Sequence, residues 1–199
     1  MPSDHYFTEH PSSPGARRAL TATLRGFELH LVTEAGVFSR DRIDPGTALL
    51  IKRMEVLPAD RILDLGCGYG VVGIVAAKLA PEGHVTLIDI NERAVALARE
   101  NLKANDIANA EALQGSGFAP VAGRVFDLIA LNPPIRAGLS VVHQLIEQAH
   151  AHLATGGRFY LVGRTKQGVV RISQKMHQVF GSVEEVAKGG GYRLYVSVL

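Results

Sequence analysis

From residue 61 onward the chain repeats one pattern, a short apolar run followed by a longer amphipathic stretch. A strand that is apolar on both faces must be covered on both faces, so this alternation predicts a parallel sheet flanked by helices. The apolar runs predict strands over 61–65, 84–89, 110–114, 126–131, 158–162, 183–187 and 192–199. Helices fit between them over 71–80, 92–104, 140–153 and 167–180. In the third, Val142, Leu145, Ile146, Ala149 and Leu153 share one stripe. Gly189, Gly190 and Gly191 leave no room for a crossover helix, so the last strand is predicted to run antiparallel to the one before it.

The front of the chain is written differently. Residues 1–18 carry Pro2, Pro11 and Pro14 with no apolar period, the pattern of an irregular arm. Residues 18–33 alternate polar and apolar around Arg25 and Gly26, which predicts a β-hairpin. Asp44 and Pro45 then supply a cap and a first-turn proline ahead of Ala48, Leu49 and Leu50, so a helix is expected there. With 199 residues, 47% of them hydrophobic, the chain has material for one core. The expectation is a single domain over 1–199, with an arm and hairpin over 1–43 and an α/β core over 44–199.

Several classes are disfavoured. No apolar run of roughly 18 residues is present, and the polar start is unlike a secretory leader, so a cytoplasmic protein that does not span a membrane is expected. The lone Cys67 has no disulfide partner within the chain. Of the eight histidines only His143 and His150 share a helical face, so no metal is expected. A net charge of +2 announces no global field for nucleic acid. Basic residues do gather at Arg17, Arg18, Arg25, Arg40 and Arg42, and again at Arg164, Lys166, Arg171 and Lys175. Each group is either a solvated face or a patch for a polyanion.

Directly after the first predicted core strand come Asp64, Leu65, Gly66, Cys67, Gly68, Tyr69 and Gly70. Three alternating glycines between a buried strand and a helix make a tight turn that a ligand can approach closely. Gly68, Gly70 and Gly73 also satisfy the dinucleotide spacing, with Asp89 at the next strand tip, so NAD is one reading. Asp64 argues against it. A carboxylate at the head of the loop repels a pyrophosphate, whereas it favours the ammonium and sulfonium of S-adenosyl-L-methionine (SAM). Asp89 has two oxygens for the two ribose hydroxyls, or else caps the following helix. Cys67 reads as a small filler in the cofactor loop, with no nucleophilic role.

The fourth core strand ends in Asn132, Pro133, Pro134 and Ile135, at the sheet edge where ligands bind in open α/β folds. The prolines fix the backbone and remove donors, leaving the Pro133 carbonyl free beside the Asn132 side-chain oxygen. Two acceptors suit one NH2 group. Held there, an exocyclic amine can pyramidalise toward an incoming methyl group. The bland alternative is a plain turn.

The stretch from Asp64 to Gly70, and Asn132-Pro-Pro-Ile-Arg-Ala-Gly138, together resemble the small-domain methyltransferase family, whose best-known members are bacterial 16S rRNA guanine-N2 methyltransferases. Gly36-Val-Phe-Ser39, Asp44-Pro-Gly-Thr47, Thr165-Lys-Gln-Gly168 and the Gly-Gly-Tyr192 run are similar too, so the likeness spans nearly the whole chain. It implies a Rossmann-like class I methyltransferase fold, a seven-stranded, mostly parallel sheet with the last strand antiparallel, plus the hairpin. It implies SAM held by Asp64, Gly66, Cys67, Gly68 and Gly70, by Asp89 and Ile90, by Ser116 and Gly117, and by Thr47 and Asn132. Asn132, Pro133 and Pro134 then form the catalytic loop, with Ile135, Arg136 and Phe38 toward the substrate. Thr47 reads equally as a helix cap, Phe38 as a core aromatic, and Arg136 as one half of an ion pair.

Two departures bear on the substrate. Ser116 stands where members usually place an acidic or amide residue on the adenine, and Ile135 where many carry an aromatic that stacks on a flipped base. Stacking then falls to Tyr6, Phe7, Phe38 or Phe118, or to aliphatic contact. The larger members also carry a second, degenerate domain without a counterpart in these residues. The resemblance implies methylation of guanine N2 in ribosomal RNA, with RNA or the small ribosomal subunit as partner. A protein glutamine presents the same NH2 geometry, and a small-molecule substrate, a non-catalytic SAM- or RNA-binding module and an NAD-linked oxidoreductase are the other readings.

Overall fold

The structure is a computed structural model that describes Glu9 and residues 16–199, and of Arg136 the backbone alone. The arm that holds Tyr6 and Phe7 lies outside the described residues. Strands β1 (Arg18–Leu24) and β2 (Phe27–Thr33) form the expected hairpin, turning through Arg25 and Gly26 at φ 52° and 84°. Two left-handed residues give the tight turn whose twist matches the strands. α1 (Pro45–Arg53) follows, capped by the Asp44 carboxylate, which accepts from the Gly46 and Thr47 N–H groups.

The core alternates β3 (Arg61–Leu65), α2 (Val71–Leu79), β4 (His84–Asp89), α3 (Glu92–Ala104), β5 (Ala110–Gln114), β6 (Phe126–Leu131), α4 (Leu139–Ala151), β7 (Leu153–Arg164), α5 (Val169–Phe180), β8 (Glu184–Gly189) and β9 (Tyr192–Val198). The seven core strands lie in the order β5-β4-β3-β6-β7-β9-β8, and β9 runs antiparallel to both neighbours. Side chains alternate between two cores, as strand geometry demands. Ile62, Leu128, Ala130, Tyr160 and Val162 face the layer of α1, α2, α3 and β2. Leu63, Ile129, Leu131, Phe159 and Leu161 face α4 and α5. No helix among the described residues is long and apolar enough to cross a membrane.

Several element bounds depart from expectation: α4 ends at Ala151, so Leu153 belongs to β7 and not to the helical stripe, and β8 runs over Glu184–Gly189 instead of 183–187. β7 begins at Leu153, because the chain pairs with β6 both before and after an irregularity at Gly156, whose left-handed φ of 76° looks like a turn in sequence. α5 begins at Val169, because Gly168 is left-handed and closes a separate turn over Thr165–Gln167.

The hairpin is tied to the core by polar side chains. Asn101 accepts from Val32 N–H at 2.7 Å and donates to the Val32 and Tyr69 carbonyls, and Asn105, one helical turn on, brackets His30 in the same way. The edge of β2 is thereby satisfied by a helix instead of another strand. Arg25, at the hairpin turn, donates to the Ile51 and Met54 carbonyls at the end of α1.

Candidate active site

The carboxyl ends of the central strands open into a cavity of about 670 Å³. It lies where β3 and β6 adjoin, the point at which chain order along the sheet reverses and ligands of open α/β folds bind. Of the described residues expected to bind cofactor or substrate or to act in catalysis, all line it except Gly70, and of the stacking candidates Phe38 does and Phe118 does not. Gly70 sits behind the loop, opening α2 at φ 93° with Ala98 and Leu87 packed against it. The side chain of Arg136 is outside the described residues.

On the cofactor side, Gly66 and Cys67 donate their N–H groups to the Ile88 carbonyl, and Gly68 donates to Asp89 Oδ2 at 2.8 Å. These bonds fasten the β3 loop to the tip of β4. The other Asp89 oxygen accepts from Asn91 N–H, and Asn91 itself caps α3, so Asp89 is not the cap. Each carboxylate oxygen retains a lone pair for a diol. Asp64 is buried and accepts from Gly73 N–H at 2.8 Å. Burial lifts its carboxyl to about 7, the Gly73 bond pulls it down and the Asp89 charge pushes it up. Burial and the two carboxylates push the Cys67 thiol well up, which suits a filler rather than a nucleophile.

On the acceptor side, the Asn132 side-chain nitrogen donates to Thr47 Oγ1 at 3.1 Å and to Asp44 Oδ2 at 3.4 Å. A carboxylate only accepts, so the amide is oriented with nitrogen toward Asp44, and Oδ1 accepts from no donor among the described residues. Thr47 therefore meets the Asn132 loop; the cap of α1 is Asp44. The Pro133 carbonyl is not free, since it accepts from Ile135 N–H at 2.9 Å across Pro134, whose φ and ψ of −76° and 72° make an inverse γ-turn. One of its two lone pairs remains. Phe38 lines the cavity, but Phe118 is buried and stacked on His152 at 4.7 Å, so it does not reach a base.

Behind Asn132 stands a chain of contacts that the sequence did not reveal. Tyr192 donates its hydroxyl to Asp44 Oδ1 at 2.6 Å, and Arg164 Nε donates to the same hydroxyl at 2.7 Å. Tyr192 fits because Gly46 has no side chain; a Cβ there would lie 2.5 Å from its ring. The only hint in sequence was that the segments around Asp44 and Tyr192 both carry family-like motifs.

The cavity has three carboxylates in its lining, Asp44, Asp64 and Asp89, against one described cation, Arg164. That balance repels a pyrophosphate and fits a cofactor bearing an ammonium and a sulfonium. Such a site, at the switch point of a sheet whose β9 enters in reverse between β7 and β8, defines a class I, SAM-dependent methyltransferase. The comparison with known families narrows this, since the methyltransferase small domain model matches residues 28–196 and the chain belongs to that family. It is 37% identical over 192 residues to an uncharacterized Bacillus subtilis protein, YbxB, covering 96% of each. It is 35% identical over 171 residues to ribosomal RNA small subunit methyltransferase C of Pseudomonas entomophila, covering 84% of this chain and 50% of that one. A T. thermophilus 16S rRNA N2 methyltransferase, solved in complex with AdoMet and guanosine, matches with a TM-score of 0.82 at 26% identity, over 94% of this chain and 52% of that chain. The chain thus spans about half the length of these rRNA methyltransferases.

Proposed function

We propose that the protein methylates the N2 amine of a guanine in RNA, with small-subunit ribosomal RNA as the substrate, and that residues 1–199 act as one methyltransferase domain in the cytoplasm. The observation that carries this reading is the orientation of Asn132, whose nitrogen is spent on Thr47 and Asp44. Its Oδ1 and the second lone pair of the Pro133 carbonyl are then a pair of acceptors for the two hydrogens of one exocyclic amine. Such an amine is a poor nucleophile because its lone pair is delocalised into the ring. Holding both hydrogens lets the nitrogen pyramidalise as positive charge develops on it.

SAM supplies an activated methyl group on a sulfonium, a good leaving group. Asp64 and the glycine loop would hold its methionine part, Asp89 and Ile90 the ribose, and Ser116 and Gly117 the adenine. No general base is needed, since the alkylated amine loses its proton to water. Phe38 and Ile135 line the same cavity and offer the base an aromatic and an aliphatic contact. The relatives named ribosomal RNA small subunit methyltransferase C support the choice of RNA, and guanosine in the T. thermophilus complex supports the choice of base.

The test is to incubate the protein with labelled SAM and small ribosomal subunits from a strain lacking the enzyme, digest the RNA and weigh the nucleosides. N2-methylguanosine is expected. Label appearing in a protein glutamine or a small molecule, and none in RNA, contradicts the reading.

A further inference from the structure

The sheet orders the site. Ser116 follows β5, Asp89 ends β4, the Asp64 loop follows β3, Asn132 follows β6, and Arg164 ends β7. Arg164 therefore lies beyond Asn132, on the side away from the cofactor loops, where the body of a substrate must lie once its amine faces Asn132. It lines the same cavity and is its one described cation.

The guanidinium is held in a fixed attitude. Its Nε donates to Tyr192 Oη at 2.7 Å and its Cζ lies 5.0 Å from the centroid of the Tyr192 ring, the neighbour across the β7–β9 ladder. Both Nη groups remain, and no carboxylate among the described residues forms an ion pair with them. The nearest acid, Asp44, already accepts from Gly46, Thr47, Tyr192 and Asn132. A pre-oriented fork with both prongs unused is suited to two oxygens of one phosphate. The segment that follows extends the same charge, since Lys166 and Arg171 are exposed, have no ion pair among the described residues, and stand in a stretch from 164 to 171 without an acidic residue. Three cations within one eight-residue segment suit a polyanion better than a single carboxylate.

We propose that Arg164 seats a backbone phosphate of the RNA substrate beside the nucleotide whose amine faces Asn132. This rests on the RNA reading above. Because Arg164 also touches Tyr192, which holds Asp44, the same contact fixes the strand in register with the methyl acceptor.

The test is fluorescence anisotropy of a labelled fragment of small-subunit ribosomal RNA, with saturating S-adenosylhomocysteine, between about 50 and 200 mM salt. Arg164→Gln is expected to raise the RNA Kd about tenfold and to reduce the slope of log K against log salt by about one. Arg164→Lys, which keeps charge and bulk, is expected to keep the slope and lose about threefold in affinity; it carries the comparison if the glutamine variant folds poorly. S-adenosylhomocysteine affinity, read by calorimetry, stays within about twofold for both. Arg61→Gln makes the same charge change at the opposite edge of the sheet and leaves RNA binding unchanged. Unaltered affinity and slope in Arg164→Gln overturn the assignment, as does an equal effect from Arg61→Gln. Weakened S-adenosylhomocysteine binding also overturns it, by giving the guanidinium to the cofactor carboxylate. Absence of salt-dependent RNA binding in the wild type instead defeats the RNA reading itself.

Discussion

Asn132 donates to Asp44 Oδ2 at 3.4 Å, a contact between residues 88 apart in sequence that fixes which end of the amide is left for a substrate. Asp44→Ala removes the Oδ2 acceptor that faces the Asn132 nitrogen, together with the cap of α1. The Asn132 amide is then free to turn over. Single-turnover transfer should slow about a hundredfold, with S-adenosylhomocysteine affinity close to wild type and a stability loss of about 1–2 kcal/mol from the missing cap. A rate that stays unchanged removes Asp44 from the positioning of the acceptor.

Gly46→Ala places a Cβ 2.5 Å from Tyr192 Cδ1 and Cε1 and 2.8 Å from Asp44 Oδ2. Moving either neighbour breaks the bond between them, because Tyr192 is buried and donates to Asp44. Overpacking of this kind costs about 1–3 kcal/mol. Urea denaturation should show that loss together with slower transfer, and wild-type stability would mean that Tyr192 is not held as described.

Asn101→Ala removes the partner of the Val32 N–H and of the Val32 and Tyr69 carbonyls. Groups left unsatisfied in this way cost about 1–3 kcal/mol each where buried, so a total of at least about 2 kcal/mol is expected. Hydrogen exchange should rise first along β2. Equal protection of β2 in variant and wild type contradicts this account of the hairpin's anchorage.

Asp64 makes a pH prediction. Its carboxyl moves from 3.8 to about 7, chiefly by burial. Between those values the folded protein keeps a proton that the unfolded chain has released. The stability from this group is therefore complete below 3.8 and is lost as pH rises through about 7. A cationic cofactor selects the ionised form, so SAM affinity should climb from about pH 6 to 8, with proton release on binding. Calorimetry in buffers of different ionisation heat measures both, and a flat affinity without proton release contradicts the role given to Asp64.

The cofactor half of this site was legible in sequence because its parts are contiguous. Asp64 and the glycines form one loop, and Asp89 ends an apolar run. The Asn132 loop was legible for the same reason. Its support was not, because Asp44, Arg164 and Tyr192 meet only through the packing of α1 on β7 and β9 and the insertion of β9 beside β7. Asp44 therefore read as a cap and Arg164 as part of a basic patch. Phe118 offered itself as a stacking ring because burial is invisible in a short glycine-rich segment. The Pro133 carbonyl looked free because a turn across Pro134 depends on ψ, which proline does not fix.

In the proposed reaction the oriented amide of Asn132 holds the amine that is methylated. The most direct test is a single-turnover comparison of wild type and Asn132→Ala on small ribosomal subunits, with nucleoside mass analysis of the product and cofactor affinity measured alongside. N2-methylguanosine is expected from the wild type, with a loss of at least about a hundredfold in rate in the variant and S-adenosylhomocysteine affinity unchanged. An Asn132→Ala protein that forms the same product at the wild-type rate would contradict this role of Asn132.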